Sequence, residues 1–172
     1  MLAAFEAGAE IVAYTDADLS TPVREIDRLV GRLQSEDDVD VVLGARVRLL
    51  GTDIRRSGLR HVVGRVYGTF ASLALGVAVY DTQCGAKAFR KTPGVVGALS
   101  RPFSVRWTFD VELLSRLTRT SDAWAWARII EEPLSSWHAR RGSKLRAREA
   151  VQETLSLLRI GWRHRRDRVP RR

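Results

Sequence analysis

Two carboxylates, placed two positions apart, are the residues of this sequence whose types and spacing most directly suggest chemistry. Asp16 and Asp18 follow the short apolar run Ile11–Tyr14, which predicts a buried strand. The carboxyl end of a strand is where open α/β sheets bind ligands. Two carboxylates there suit Mg²⁺, which proteins hold with one or two carboxylates plus substrate phosphates. The same pair alone would equally fit a solvated turn or a helix cap.

Two enzyme classes use an aspartate pair in this position. In a nucleotide-sugar transferase, a cation held by Asp16 and Asp18 neutralises a diphosphate leaving group. In a phosphatase that forms an aspartyl phosphate, Asp16 would be the nucleophile. The two carboxylates do not separate these classes, so the rest of the chain has to decide.

Length and cysteine content set the outer limits. The 172 residues predict one domain with a real hydrophobic core. Cys84 is the single cysteine, which excludes an internal disulfide and a cysteine-rich zinc site and favours a reducing, cytoplasmic location. The longest charge-free apolar stretch, Val66–Tyr80, is shorter than the roughly 20 residues of a spanning helix. The first nine residues carry Glu6 and no basic region, so no secretory signal is predicted.

The net charge of +9 is unevenly distributed along the chain. Residues 1–137 hold 17 Lys/Arg and 17 Asp/Glu, whereas residues 138–172 hold 12 basic and only three acidic residues. The basic C-terminal segment therefore predicts an anionic partner, either membrane phospholipid or nucleic acid. Because no nucleic-acid-binding motif and no interleaved aromatic residues accompany it, we expect no nucleic acid partner.

The elements that must position Asp16 and Asp18 begin with a β-α-β pattern, which predicts an α/β fold with a mostly parallel sheet flanked by helices. Ser20-Thr-Pro22 predicts a helix start, Val23–Gln34 is amphipathic, and Val39–Leu43 is a second apolar strand. Further predicted elements are a helix over 58–76 whose apolar side includes Val62, Val66, Phe70 and Leu73, a third strand over 77–80, helices near 95–99 and 111–118, and strands over 124–130 and 133–137.

Other charged residues fall where these elements end. Asp81 follows the predicted third strand, which again places a carboxylate at a carboxyl-terminal edge. Asp110 and Glu112 lie at the start of a predicted helix, where the helix dipole alone would favour them. The loop from Val47 to Ser57 is rich in arginine. It fits either a loop that closes over phosphates or a solvated basic loop.

A C-terminal helix is predicted from Leu145 to Arg165. Val151, Leu155, Leu158 and Trp162 follow a 4-3-4 spacing, and the other faces are basic. This pattern is typical of an amphipathic helix that lies at a membrane interface. A basic helix packed on the body of the domain fits the same residues.

Five stretches in order resemble the inverting glycosyltransferases of family 2, which have the GT-A fold, and especially the branch of dolichyl-phosphate β-glucosyltransferases and their polyprenyl-phosphate relatives. They cover about residues 8–145 and disfavour the phosphatase. The matching stretches are Thr15-Asp-Ala-Asp-Leu-Ser-Thr-Pro22, Gly44-Ala-Arg46, Asp81-Thr-Gln-Cys-Gly-Ala-Lys-Ala-Phe89, Arg106-Trp-Thr-Phe-Asp-Val-Glu112 and Gly142-Ser-Lys144.

The resemblance implies a transfer of a hexose, with glucose expected, from a UDP-sugar to a polyprenyl or dolichyl phosphate, with Mg²⁺ or Mn²⁺ as cofactor. It implies that Asp16 and Asp18 hold the metal and, with Arg46, the donor diphosphate. It implies catalytic roles for Asp81, Asp110 and Glu112. The acceptor-binding residues that it implies are Gln83, Gly85, Arg60, Trp107 and Lys144.

The sequence also departs from the family pattern. The family's first strand, with a Pro-x-Tyr-Asn-Glu-like motif, and its uracil-binding segment precede the point where this chain begins. Ala45 and Ala86 replace the usual Ser and Phe.

We therefore expect residues 1–145 to be the C-terminal portion of a GT-A domain. We expect residues 146–172 to be a basic helix and tail that contacts an anionic membrane surface as a peripheral element. We expect a fragment of a longer enzyme, a domain completed by a second copy or a partner chain, or an inactive remnant. The alternative function is a non-catalytic module that binds a membrane or a partner.

Overall fold

A computed structural model shows a central sheet flanked by helices. It describes residues 1–55, 58–105, 107–119, 126–139 and 147–166, and of these it does not describe the side chains of residues 59–60, 119, 147–155 and 165. The α/β fold class predicted from the sequence is confirmed.

In the described part of the chain, the central sheet has four strands: β1 (Ile11–Tyr14), β2 (Val41–Ala45), β4 (Lys87–Arg90) and β5 (Ile129–Pro133), in the order β1-β4-β2-β5. Three of them run in the same direction, but only the pairing of β2 with β5 is parallel. The fourth, β4, lies between β1 and β2 and is antiparallel to both. A second, two-stranded parallel sheet pairs β3 (Asp53–Arg55) with β6 (Ser136–His138).

The predicted third strand over Val77–Tyr80 is wrong, and the strand of this region begins at Lys87, ten residues after the predicted start. Side chains bind the backbone of the predicted segment instead. Ser72 Oγ contacts both the N–H and the carbonyl of Val79, and the Glu131 carboxylate accepts from the N–H of Tyr80 at 2.8 Å. The segment is thus an ordered connection held by Ser72 and Glu131.

Six helices surround the sheet in the described residues. They are α1 (Leu2–Glu6), α2 (Val23–Ser35), α3 (Gly58–Leu75), α4 (Pro93–Leu99), α5 (Phe109–Arg119) and α6 (Ala147–Arg166). Helix α2 packs on one face of the sheet, and α3, α5 and α6 pack on one another over the other face. Since successive residues of a strand point to opposite faces, Val41 and Leu43 join one core cluster and Val42 joins the other.

Most of the apolar side predicted for α3 does not face the core, although Tyr67, which belongs to that side, packs against it. Val62, Val66, Phe70 and Leu73 are all at least half exposed. The helix instead packs through Gly68, Ala71 and Leu75, and a methyl group on Gly68 would lie 3.0 Å from the Tyr80 carbonyl oxygen. Close approach of the backbone thus buries a side that contains two small residues and leaves most of the large apolar residues outside.

Helix α6 lies where the sequence predicts a C-terminal helix, and it packs against α3 and α5. Leu157, Ile160 and His164 are buried, and His164 Nδ1 is 3.1 Å from Ser115 Oγ on α5. Two residues of the predicted apolar stripe, Leu158 and Trp162, are exposed. In the part of the chain that the structure describes, no helix is long and apolar enough to cross a bilayer.

Candidate active site

The candidate site forms where three strands end at one edge of the sheet. In the strand register, Lys87 at the start of β4 lies opposite Tyr14 at the end of β1 and opposite Leu43 near the end of β2. Because β4 is antiparallel, its amino-terminal end meets the carboxyl-terminal ends of β1 and β2. The segments that carry Asp16, Asp81 and Lys87 therefore converge, although the strand expected before Asp81 is absent.

The turn after β1 holds the two carboxylates that the sequence singles out. Asp18 Oδ1 accepts from the Ser20 N–H at 2.8 Å, and Leu19 adopts a φ of 53°, in the left-handed region that non-glycine residues seldom occupy. The Asp16 carboxylate lies against Gly85, where a methyl group would come within 2.0 Å of it. Glycine at position 85 leaves room for the Asp16 carboxylate because it has no side chain. Gly85 thus has a steric role in addition to any contact with substrate.

The electrostatics of this turn fit a divalent cation. Partial burial and the neighbouring charge of Asp18 raise the pKa of Asp16, against the opposing effect of Lys87 and Arg46. A cation between the two carboxylates would offset that repulsion. Within the described ranges, no group of three or more His, Cys, Asp or Glu side chains could hold a metal. The remaining ligands would therefore come from water or from substrate oxygens, as is usual for Mg²⁺.

Several buried polar atoms around this edge have no hydrogen-bond partner among the described residues. Such groups are uncommon, because an unsatisfied buried donor or acceptor costs about 1–3 kcal/mol. Water or a polar ligand could satisfy the four such atoms that lie in the segments around Asp16, Asp81 and Asp110. The atoms are Thr15 Oγ1, Thr82 Oγ1, Gln83 Nε2 and Thr108 Oγ1.

Asp110 joins the site through a buried ion pair. Its Oδ1 is 2.7 Å from Lys87 Nζ and accepts from the Tyr14 hydroxyl at 3.1 Å. Lys87 Nζ also donates to the Cys84 carbonyl oxygen at 2.5 Å and lies 5.7 Å from the centre of the Tyr14 ring. Burial and the charge of Asp110 raise the pKa of Tyr14 well above its usual value, so its hydroxyl stays protonated and remains a donor.

Arg46 and Asp81 form a second ion pair. Arg46 donates to Asp81 from Nε at 2.7 Å, from Nη2 at 2.8 Å and from its backbone N–H at 3.1 Å. Burial opposes the charge of Arg46, but the Asp81 carboxylate outweighs it and raises the pKa of the guanidinium. The guanidinium lies 5.1 Å from the centre of the Trp137 ring. Asp81 is thus bound to a protein cation, in an arrangement that orients Arg46.

A basic cavity of about 130 Å³ lies beside this ion pair. Two arginines from the loop after β2 and a histidine from the first turns of α3 contribute to its wall. Its lining residues are Arg46, Arg48, Ile54, Gly58 and His61. Much of the wall is apolar and Arg46 is already paired with Asp81, but arginine and histidine side chains in the wall could still donate to an anionic group such as a phosphate.

Glu112 does not share the cluster of Asp110. Its Oε2 accepts from the N–H and the hydroxyl of Ser104 at 2.9 Å each, and its Oε1 pairs with Arg116 at 2.6 Å. Arg116 also donates to the carbonyl oxygens of Ala98, Arg101 and Pro102. These contacts tie Glu112 to the connection between α4 and α5, so the structure brings only Asp110 of the predicted pair to the Lys87 cluster.

Of the other predicted site residues, the structure describes the side chains of Gln83 and Trp107. Gln83 lies in the turn before β4, and Trp107, just before α5, is half exposed. The side chain of Arg60 and the whole of Lys144 lie outside the described residues.

The sequence predicted no role for four residues that contact the candidate site. They are Tyr14, Lys87, Glu131 and Trp137. Glu131 accepts from the N–H groups of Tyr80 and Asp81 at 2.8 Å each and so fixes the turn that carries Asp81. A lysine between Ala86 and Ala88, at the start of β4, is the one pattern that would have pointed to a buried counter-charge. The other three contacts join residues far apart in the chain.

Comparison with curated proteins finds glycosyltransferases. The chain is 29% identical over 109 residues to the dolichyl-phosphate beta-glucosyltransferase ALG5C of Trichomonas vaginalis, which covers 61% of this chain and 32% of that protein. It is 31% identical over 173 aligned positions to the glycosyltransferase AglD of Haloferax volcanii, covering 98% of this chain and 26% of that protein. The chain thus spans a third or less of the length of these relatives. No family model matches it.

Comparison with solved structures finds the same fold. Glucosyl-3-phosphoglycerate synthase from Mycobacterium tuberculosis, solved in complex with uridine diphosphate, superposes with a TM-score of 0.59 over 95% of this chain and 52% of that chain. At 18% sequence identity this likeness shows the fold alone. Together the comparisons confirm the resemblance to glycosyltransferases and the α/β fold that the motifs predicted.

Proposed function

We propose that this chain carries the metal-binding and acceptor-facing part of an inverting glycosyltransferase, which moves a hexose from a UDP-sugar to a polyprenyl or dolichyl phosphate. The observation that carries this proposal is the convergence of the Asp16 turn and the Lys87–Asp110 pair at one sheet edge. The similarity to a dolichyl-phosphate beta-glucosyltransferase supports glucose as the sugar and a lipid phosphate as the acceptor.

Asp16 and Asp18 would hold Mg²⁺ or Mn²⁺ at the donor diphosphate. When bound, the cation would act as a Lewis acid and offset the negative charge that develops on the departing nucleoside diphosphate. The turn supports this role because the Ser20 N–H donates to Asp18 Oδ1 and leaves the other oxygen of that carboxylate for the cation. Arg46, held by Asp81, supplies a fixed positive charge on the same side of the sheet.

Asp110 would orient the acceptor. A lipid phosphate is already anionic at neutral pH, so its oxygen needs no base before it attacks the anomeric carbon. Lys87 and the Tyr14 hydroxyl hold Asp110 Oδ1, and no bond to Oδ2 is described. An acceptor hydroxyl would instead need Asp110 as base, a contribution of about 10²–10⁴-fold in rate. Glu112 has a supporting role in this proposal, through the connection that it fixes.

The cavity beside Arg46 would receive the acceptor phosphate. Arg46, Arg48 and His61 are the groups able to donate to phosphate oxygens there. The lipid chain itself would stay in a membrane, which the basic residues 146–172 would contact from the cytoplasmic side. The proposed partners are thus a nucleotide sugar, a lipid phosphate and an anionic membrane surface.

Calorimetric titration of the chain with UDP and UDP-glucose, with and without Mn²⁺, tests the proposed function. We expect binding that depends on Mn²⁺, because the diphosphate and the two carboxylates need a shared cation. In Asp18→Asn the amide oxygen can still accept from the Ser20 N–H, so the turn survives while one charge is lost. We expect this variant to bind UDP at least about tenfold more weakly in Mn²⁺.

Asp27→Asn is the matched control, since it makes the same charge change on the exposed side of α2. It should bind UDP like the wild type. Binding that is equal with and without Mn²⁺, or equal in Asp18→Asn and Asp27→Asn, would contradict the metal site. A folded chain that binds neither ligand would favour the non-catalytic alternative.

A further inference from the structure

Helix α3 presents an apolar face to solvent that the proposed catalytic chemistry does not use. Val62, Val63, Val66, Phe70 and Leu73 are between 51% and 61% exposed, and the 18-residue helix contains no acidic residue. Spacings of four, four and three residues from Val62 to Leu73 place these side chains on one side of the helix. Single exposed apolar residues are ordinary, but five on one helix face form a patch that indicates an interaction surface.

Helix α6, which packs against α3, exposes two further large apolar residues. Leu158 and Trp162 are 63% and 62% exposed and lie one turn apart. The two helices cross closely at Gly161, where a methyl group would lie 3.2 Å from the Ala74 Cα. Leu73 and Trp162 are the sequence neighbours of the two residues at this crossing. We call the five apolar residues of α3, with Leu158 and Trp162, the two-helix surface.

Positive charge accompanies the two-helix surface. Arg159, Arg163 and Arg166 are exposed on α6, and the Arg166 guanidinium lies 5.3 Å from the centre of the Trp162 ring. On α3 the basic residues are Arg60, His61 and Arg65, of which the Arg65 guanidinium lies 4.0 Å from the centre of the Tyr80 ring. A helix with an apolar face, basic flanks and a tryptophan at their boundary has the composition of an element that lies in a membrane interface.

We propose that the two-helix surface rests on an anionic lipid membrane, with the apolar face of α3 contributing to the contact together with the basic C-terminal segment. This inference rests on the proposed function, which already includes an anionic membrane surface as the partner of residues 146–172. It adds α3 to that contact. A polyanion such as nucleic acid would satisfy the arginines and leave the seven apolar side chains in water. A second copy docked on the same surface would bring arginines against arginines. A lipid membrane matches both the apolar and the cationic groups.

The placement of α3 connects this surface to the candidate site. The helix begins at Gly58, and Gly58 and His61 line the basic cavity beside Arg46. A helix lying on the membrane would therefore open at its amino-terminal end onto a cavity suited to a phosphate. In that arrangement a lipid phosphate could enter the cavity while its chain stays in the bilayer.

Sedimentation with vesicles tests the proposal on the full chain. Vesicles of phosphatidylcholine are compared with vesicles that also contain phosphatidylglycerol. We expect binding to the anionic vesicles and at least about tenfold weaker binding to the neutral ones, because the arginines contribute only against a negative surface. The double variant Val66→Ser/Phe70→Ser should lose at least about tenfold in binding to the anionic vesicles.

Val23→Ser/Leu50→Ser is the matched control, since these two side chains are 61% and 105% exposed but lie outside the two-helix surface. It should bind vesicles like the wild type. As a second measurement, brominated acyl chains should quench tryptophan fluorescence, and Trp162→Phe should quench less. All variants should keep the circular dichroism of the wild type, because each altered side chain is exposed.

Equal vesicle binding by the test and control variants would overturn the proposal, as would no binding by the wild type. A dimer in solution that Val66→Ser/Phe70→Ser dissociates would assign the surface to a second copy and also overturn it. None of these outcomes depends on donor binding. The Mn²⁺-dependent UDP titration is measured separately on the same variants, so failure of the membrane contact and failure of the proposed function remain distinguishable.

Discussion

Lys87 carries a charge inside the protein, with only 1% of its surface exposed. Such a charge is tolerated where it is paired and hydrogen-bonded. Lys87 meets both conditions through Asp110 and the Cys84 carbonyl oxygen. The pair fixes the Asp110 carboxylate on the first turn of α5 relative to the end of β1. We therefore regard Lys87 as the residue that couples the sheet edge to α5.

Lys87→Met should be strongly destabilising, since it leaves the buried Asp110 carboxylate without its cation. The free energy of unfolding should fall by about 3–5 kcal/mol. Urea denaturation followed by circular dichroism measures this change. Lys87→Met/Asp110→Asn should recover part of the loss, because it removes the unpaired charge as well.

Lys91→Met is the control for that experiment. Lys91 lies just after the same strand and donates to the Phe5 carbonyl oxygen at 2.7 Å, with no carboxylate described as its partner. We expect it to cost only about 1 kcal/mol, the usual contribution of one hydrogen bond. A loss in Lys87→Met no larger than in Lys91→Met would show that the ion pair does not stabilise the site.

At the scale of elements, the sequence predicts the strands that carry their own pattern. Runs such as Ile11–Tyr14 are short, apolar and followed by turn residues, so β1 and β2 were predictable. The segment 77–80 has the same composition but is held by Ser72 and Glu131. Those partners are distant in the chain or lie on another element. Local composition therefore gave the wrong strand, although it gave the right end of the sheet for Asp81.

The apolar side of α3 was misleading for a related reason. Hydrophobicity alone predicts that Val66 and Phe70 face the core. The structure buries Gly68 and Ala71 instead, because the helix backbone approaches the Tyr80 carbonyl closely. A pattern of small residues and a pattern of large apolar residues compete on this helix. Only the tertiary contact decides which face packs.

Paired glycine substitutions test the close crossing of α3 and α6. Gly31 lies on the exposed side of α2, with nothing within 4 Å of an added methyl group. Gly31→Ala should therefore raise the free energy of unfolding by about 0.5–1 kcal/mol through helix propensity. Gly161→Ala has the same propensity gain but places its methyl 3.1 Å from the Ala74 Cβ. We expect no net gain there, and Gly161→Leu should destabilise by about 1–3 kcal/mol.

Thermal and urea unfolding of the three variants provide the comparison. Equal stabilisation by Gly31→Ala and Gly161→Ala would mean that α6 does not cross α3 as closely as described. Because the alanine substitutions differ mainly in their surroundings, their difference isolates the contact with Ala74 from the propensity of the helix.

At the scale of the whole molecule, one sheet joins two hydrophobic clusters. Val41, Leu43 and Phe89 face the cluster of α3, α5 and α6, whereas Val42 and Ala88 face the cluster of α2. The same strands contribute side chains to both clusters. If these strands separated, both clusters would be exposed. Because the sheet is shared, we expect the two clusters to unfold as one cooperative unit, as small single domains usually do.

Cys84 provides a probe of that cooperativity because it is the single thiol of the chain and lies in the α2-side cluster with no exposed surface. Burial raises the pKa of its thiol to about 11 from an ordinary 9.0. The thiolate is the reactive form, so at pH 8 a rise of two units lowers its fraction about a hundredfold, in addition to the steric protection. Native protein should therefore react slowly with iodoacetamide.

Alkylation across a urea series, compared with circular dichroism of the helices, then decides whether the molecule opens as one unit. Cys84 reports the α2 side, while most helical residues lie in α3, α5 and α6 on the other side. If the shared sheet couples the two clusters, both signals should have the same midpoint. Alkylation that rises at lower urea would show that the α2 side opens first. The candidate site, which draws Asp16 and Gly85 from that side and Asp110 from α5, would then be lost before the protein unfolds globally.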